Sequence, residues 1–226
     1  MAPVTCILVG YLIGCINPAY IIGRVRGFDI RKRGSGNAGA SNAVILMGKK
    51  IGIISAVLDI FKAFAVTLMM SALFPQYRQA KIMSGIACIL GHIFPAPMHF
   101  KGGKGLACLG GMILAYDWKV FLIMLLCELV FVLIVDYICF VPITASIIFP
   151  IVYGFRESDW IGAAAFFLIT AVIFYKHIEN LRRIRIGTEA HFSFLWRRDK
   201  EIARLSEKLD AEDVEQDQPT NADELQ

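Results

Sequence analysis

The chain has 226 residues, 57% of them hydrophobic, and a mean hydropathy of +0.60, well above the range of soluble domains. That length suits one domain, and spending most of it on apolar runs excludes a large soluble catalytic unit. The net charge of +4 conceals an asymmetry: residues 1–198 carry 20 basic and 9 acidic side chains, residues 199–226 only 3 and 10. We therefore expect a membrane-embedded domain over 1–198 and an acidic, disordered tail over 199–226.

Apolar runs predict an all-α integral membrane protein with about seven spans, near 4–23, 50–74, 82–98, 104–116, 118–135, 137–154 and 160–176. Gly10 and Gly14 in the first form a small-residue groove suited to helix packing. Leu12-Ile13-Gly14-Cys15 resembles a lipoprotein cleavage site, but no Lys or Arg precedes the apolar run, as a secretory signal requires. The second span carries Asp59 and Lys62 at i, i+3, roughly 13 Å along the helix at its 1.5 Å rise. At that depth they read as a mutual pair. The third holds His92, read as a hydrogen-bonded interior residue, and ends at Pro95 and Pro97. The fourth is short for a hydrocarbon core of about 30 Å and could be re-entrant. Glu128 in the fifth has no obvious partner, and all six cysteines read as small hydrophobes without metal-ligand spacing.

Basic residues set the orientation. Arg24, Arg26, Arg31, Lys32, Arg33, Lys49 and Lys50 follow the first span, Lys101 and Lys104 the third, and Lys176, Arg182, Arg183 and Arg185 the last. Only Arg78 and Lys81 lie between the second and third. The positive-inside rule then puts the N-terminus outside, the C-terminus in the cytoplasm, and both glycine-rich loops on the cytoplasmic face.

Those loops carry the functional reading. Gly34-Ser35-Gly36-Asn37-Ala38-Gly39-Ala40-Ser41-Asn42 combines small residues with side-chain donors, and Lys101-Gly102-Gly103-Lys104-Gly105 sets two ammoniums among glycines. Both suit an anion, most simply phosphate, held by backbone N–H groups and cations. Topology alone would also place lysines there. No nucleotide P-loop is present. A third cluster, Lys176-His177-Ile178-Glu179-Asn180-Leu181-Arg182-Arg183 with Gly187 and Glu189, puts His177 and Asn180 on one face if the last helix continues.

Asp29-Ile30-Arg31 with Gly34-Ser35-Gly36-Asn37, then Phe100-Lys101-Gly102-Gly103-Lys104-Gly105, then His177, Asn180, Gly187 and Glu189 together resemble the bacterial acyltransferases that acylate glycerol 3-phosphate from acyl phosphate. The resemblance runs from about Gly14 to Glu189. It implies a seven-helix fold in the bacterial plasma membrane, a cytosolic-face site, no metal or cofactor, no acyl-CoA or acyl-carrier donor, and no nucleic-acid partner. It further implies that Ser35 and Lys104 contact glycerol phosphate while His177 and Asn180 orient it. The backbone from Gly39 through Ser41 to Asn42 would hold the acyl phosphate, with Gly36, Asn37, Lys101, Gly102, Gly103, Gly105 and Glu189 completing the substrate contacts. The general base stays open between His177 and the donor's own phosphate.

The soluble acyltransferase pattern of His and Asp five residues apart is missing: Pro97, Lys104, Arg182 and Trp196 follow the four histidines at that spacing. One departure from the family stands out. Where the family reads Thr-Asn-x-x-Arg, this chain has Ser41-Asn42-Ala43-Val44-Ile45, so a phosphate-clamping guanidinium is lost. Lys49, Lys50 or Arg182 would have to replace it, or the acceptor differs. A transporter of a phosphorylated anion is the other class of reading, but no pairing of broken helices across two halves supports it.

Overall fold

A computed structural model describes residues 1–197 and 200–207. Its described residues are helical or irregular, without strands. The helices are α1 (Ala2–Gly14), α2 (Pro18–Val25), α3 (Ala40–Met47), α4 (Lys49–Leu73), α5 (Ala80–Ile93), α6 (Leu106–Tyr116), α7 (Trp118–Val135), α8 (Phe140–Glu157) and α9 (Trp160–Ile186). Among the described residues, six segments are long and apolar enough to cross a membrane, α1 and α2 counting as one.

The first span is broken, which its apolar run did not reveal. Pro18 lacks an N–H and cannot continue α1, while the Asn17 side chain accepts from Tyr20 N at 2.8 Å and caps α2. Carbonyls freed at the break are then available to partners elsewhere. Gly10 and Gly14 do serve as a packing groove. A Cβ at Gly10 would meet the Ser84 backbone of α5, one at Gly14 the Cys88 backbone, and one at Gly91 the Tyr11 backbone. Since lipid and leucine are equally apolar, such close approach, rather than burial from water, holds spans together.

The short fourth span is helical only over the 11 residues of α6, or about 16 Å. Even so, it joins the two ends of the bundle. The loop before it lines one cleft with Arg31 and Lys176, and Tyr116 and Asp117 at its far end line another with Arg78 and Glu157. A helix of half the usual length can do this only if the preceding loop is drawn inward. Gly102, Gly103 and Gly105 are accordingly buried. Gly111 presses on the Ile60 backbone of α4, and Cys108, Leu109, Met112 and Ile113 sit in the main core.

Two sequence-based boundaries move. The first glycine loop is not flexible throughout: Ala40, Ser41 and Asn42 form the first turn of α3, with Gly39 as its N-cap. A small core of Ala19, Ile30, Ala38, Ala43 and Met98 lies beneath the loop. The last helix continues beyond the expected span end at 176: α9 runs on to Ile186 and stops where Gly187 adopts φ 80°. Within the acidic segment, residues 200–207 are helical and packed against the chain. The acidic remainder beyond 207 lies outside the described residues.

Cysteine burial is as expected for Cys6, Cys88, Cys108 and Cys139, whereas Cys127 is exposed on α7 and Cys15 half-buried. Glu128 acquires a partner in Thr144 of α8, whose hydroxyl lies 2.8 Å from one carboxyl oxygen.

Candidate active site

A cavity of about 480 Å³ opens between the two glycine-rich loops and α9, a size typical of small-molecule sites. Ser35, Gly36, Asn37, Lys101, Gly102 and Lys104 line it, opposite Lys176, Glu179 and Arg183. With Arg31 the wall carries five cations against the single carboxylate of Glu179. Such a cleft selects an anion.

Lys104 is the best-placed cation. Its ammonium donates to Asn180 Oδ1, and Asn180 Nδ2 in turn donates to Glu189 Oε1 at 2.5 Å. Burial strips water from the ammonium and pulls its pKa down to about 8, with nearby Arg183 and Lys176 acting in the same direction and Glu189 opposing them. Lys104 is therefore charged at neutral pH but holds its proton far less firmly than a surface lysine.

Arg31 is fixed rather than floating. Its guanidinium grips Asp29 at 2.7 and 2.9 Å and donates to Met98 O at 2.6 Å. That grip holds the Asp29 carboxyl down at about 2. Three of five guanidinium N–H groups are thus engaged, which leaves donors for a ligand.

Four N–H groups of the two glycine-rich loops are already engaged within the protein. Gly102 N and Gly103 N donate to Ile93 O and His92 O, at 3.1 and 3.0 Å, capping the end of α5. Ser35 N donates to Asn42 Oδ1 at 3.0 Å and Gly36 N to Arg33 O at 3.1 Å. These four N–H groups serve the fold, which leaves the cations and side chains of the cleft wall as the donors there. Asn42 is likewise no substrate contact: fully buried, its amide Nδ2 is shared among Ile30 O, Arg33 O and Asn37 O at 2.9–3.0 Å. It organises the loop.

Gly39, Ser41, Gly103 and Gly105 also lie off the cleft wall, as do His177, Asn180 and Glu189. The last two reach it through Lys104. His177 is buried on α9 beside Asn180, at the expected i, i+3 spacing, with Nδ1 2.7 Å from Ile173 O. That contact requires the proton on Nδ1 and leaves Nε2 with the lone pair. Ile45 is exposed on α3 and lines no part of the cleft, and neither do Lys49, Lys50 or Arg182. The cations on the wall besides Lys104 are Arg31, Lys101, Lys176 and Arg183.

Behind the loops sits a buried ionic knot that the sequence revealed only in part. Asp59 and Lys62 pair at 2.7 Å as expected, and His92 Nδ1 joins them at 3.2 Å from Asp59 and 3.1 Å from Lys62. Lys62 also donates to Gly14 O and Ile16 O, at 3.0 and 2.5 Å, satisfying carbonyls freed at the α1–α2 break. Asp59, His92 and Cys108 place potential ligand atoms within 4.8 Å of one another. The Lys62 ammonium already occupies that neighbourhood and supplies the positive charge a metal would, so we assign the trio no metal. Asn17 extends the knot to the first loop by donating to Ala38 O at 2.8 Å. A polar Asn-Pro step inside an apolar run was the available signal for it.

An all-helical membrane protein with a recessed, cation-lined cleft at one end of the bundle is the class these features define. The family model described as glycerol-3-phosphate acyltransferase matches residues 4–187, and the chain belongs to that family of membrane acyltransferases of phospholipid synthesis. The glycerol-3-phosphate acyltransferase of Lactiplantibacillus plantarum is 36% identical over 207 residues, covering 90% of this chain and 100% of that protein. Glycerol-3-phosphate acyltransferase 1 of Oceanobacillus iheyensis is 38% identical over 192 residues, 80% of this chain and 90% of its own. A crystal structure of PlsY (YgiH), an integral membrane glycerol 3-phosphate acyltransferase in its glycerol 3-phosphate form, superposes with a TM-score of 0.76 at 33% identity, covering 86% of this chain and 98% of that one.

Proposed function

We propose that this protein transfers an acyl group from acyl phosphate to the sn-1 hydroxyl of glycerol 3-phosphate, releasing lysophosphatidic acid and phosphate. The observation that carries the reading is the Lys104–Asn180–Glu189 relay at the edge of a cleft with five cations and one carboxylate. Acyl phosphate is a mixed anhydride, already activated, so the protein needs neither nucleotide nor covalent intermediate. Its task is to hold two anions together and stabilise charge on the tetrahedral intermediate and the leaving phosphate.

In the step itself the acceptor oxygen forms a bond to the acyl carbon, and the bond from that carbon to the phosphate oxygen breaks. The hydroxyl proton passes to the departing phosphate, whose released oxygen becomes basic as its bond to the acyl carbon breaks. His177 lies off the cleft wall with one nitrogen committed to Ile173 O, which favours this route over a histidine base. Ser35 and Lys104 hold the acceptor phosphate, while Lys101, Lys176, Arg31 and Arg183 receive the donor. Basic residues flanking the spans support a cytoplasmic cleft and an N-terminus outside, in the plasma membrane of a bacterium.

The test is turnover by purified protein given palmitoyl phosphate and labelled glycerol 3-phosphate. Labelled lysophosphatidic acid is expected. A folded protein that forms none, or forms it only from palmitoyl-CoA, would sink the proposal.

A further inference from the structure

The segment after α9 lies beyond the residues the family model matches, yet it reaches back to the cleft. Gly187 ends α9, and Thr188 N and Glu189 N both return to Arg183 O, at 2.8 and 3.1 Å. That tight turn aims the Glu189 carboxylate at Asn180. Its outward carbonyls are taken by one side chain: Arg204 Nη1 donates to Gly187 O at 2.6 Å and Arg204 Nη2 to Glu189 O at 2.7 Å.

Arg204 is itself oriented by the buried Glu201, which takes its Nε at 3.1 Å and Nη2 at 2.5 Å. Glu201 also accepts from His191 N at 2.9 Å. Burial alone would raise the Glu201 carboxyl, but Arg204 and His191 outweigh it and hold the group down at about 2. The segment has a second anchor independent of Arg204. Asp136, at the end of α7, accepts from Ser193 N and Ser193 Oγ at 2.7 and 2.8 Å, and its carbonyl accepts from Phe192 N at 2.6 Å. The terminal strap thus stays attached at 192–193 even when the clasp at 204 is undone.

We propose that Arg204, held by Glu201, is a positioning residue for acyl transfer: clasping the Gly187 and Glu189 carbonyls fixes Glu189 on Asn180, and thereby fixes the direction in which Asn180 holds the Lys104 ammonium. Arg204 touches no substrate, and its influence runs through four residues to the cleft. The catalytic half of the inference rests on the acyl-transfer reading above. The clasp itself does not.

A double-mutant cycle tests it. Arg204→Ala should lower kcat about tenfold, because small misplacements of a charged group near the reacting atoms carry costs of that order or more. Arg204→Lys, which reaches one carbonyl at a time, should lose only about threefold by the same reasoning. In a Glu189→Ala background both substitutions should change kcat by less than about twofold, since the link they act through is gone. A merely structural contribution would instead lower the folded fraction equally in both backgrounds. Melting curves in detergent are taken for every variant, and Arg204→Lys carries the cycle should Arg204→Ala not fold. Independent multiplication of the two losses, or a wild-type kcat in Arg204→Ala, overturns the proposal. A substrate-free arm follows hydrogen exchange at the Thr188 and Glu189 amides, which should lose protection in both Arg204 variants. Unchanged exchange refutes the clasp. Wild-type protein without product would instead refute the acyl-transfer reading, and exchange would then decide the clasp alone.

Discussion

Lys104 gives the sharpest handle on the chemistry. Its ammonium is the working form, and its pKa lies at about 8 rather than in the usual lysine range because the cleft desolvates it beside Arg183 and Lys176. The sign follows directly: a lowered lysine value means the cation is present below about 8 and lost as pH rises through it. From that value about nine-tenths of Lys104 is charged at pH 7 and about one-tenth at pH 9. The kcat/KM for glycerol 3-phosphate, which reports on the free enzyme, should therefore fall about tenfold per pH unit on the alkaline side, with its bend near 8.

Lys104→Arg isolates the cause, since a guanidinium stays charged throughout the range assayed. The variant should be slower, because a planar fork replaces a point donor to Asn180, but its alkaline limb should vanish across pH 7 to 10. Lys104→Met should lose about a hundredfold or more in kcat, the order seen when one preorganised donor to developing charge is removed. Initial rates over this range, corrected for hydrolysis of palmitoyl phosphate in matched blanks, provide the measurement. A wild-type profile flat to pH 10, or a limb near 8 that survives in Lys104→Arg, would refute both the assignment and the desolvation argument.

Asn42→Ala removes the group that accepts from Ser35 N and donates to three loop carbonyls. Stranding them should cost about 2–3 kcal/mol, lower the melting temperature by several degrees and raise the acceptor KM; an unchanged KM means that the loop is held otherwise. Lys62→Met leaves the buried Asp59 and His92 without their cation and should cost about 3–5 kcal/mol. Adding Asp59→Asn should recover part of the lost melting temperature, and failure to recover any would show that the pair is not the source. Ile45→Arg restores the family residue at a position that is exposed and off the cleft wall, so the acceptor KM should shift by less than about threefold, given the cations already present. A tenfold drop in a glycerol 3-phosphate titration would place that side chain on the substrate.

Much of the protein was legible in its local pattern. Apolar runs marked the six segments long enough to cross a membrane and the shorter α6, and the spacing of His177 and Asn180 placed them on one face. Glycine and lysine clusters marked the loops that line the cleft. What the pattern could not show is which backbone donors are free: Gly102 and Gly103 spend their N–H groups on the last carbonyls of α5. Whether a backbone donor is free depends on what packs above it, and composition does not carry that. Arg31, Lys176 and Arg183 were visible as charges but not as neighbours on one cleft wall.

By itself, then, the sequence determined the membrane class, the segregation of charge and the inventory of groups for an anionic substrate, because those follow from hydropathy and spacing within single segments. Only the tertiary structure decided that the second loop is drawn inward by the shortness of α6, and that Asn42 and His92 serve the scaffold. The junction of Lys104 with Asn180, 76 positions apart, and the clasp of Arg204 on the turn behind them were settled there too. Contacts across such separations exist only once helices pack, and the lowered proton affinity of Lys104 exists only once that packing has removed the water.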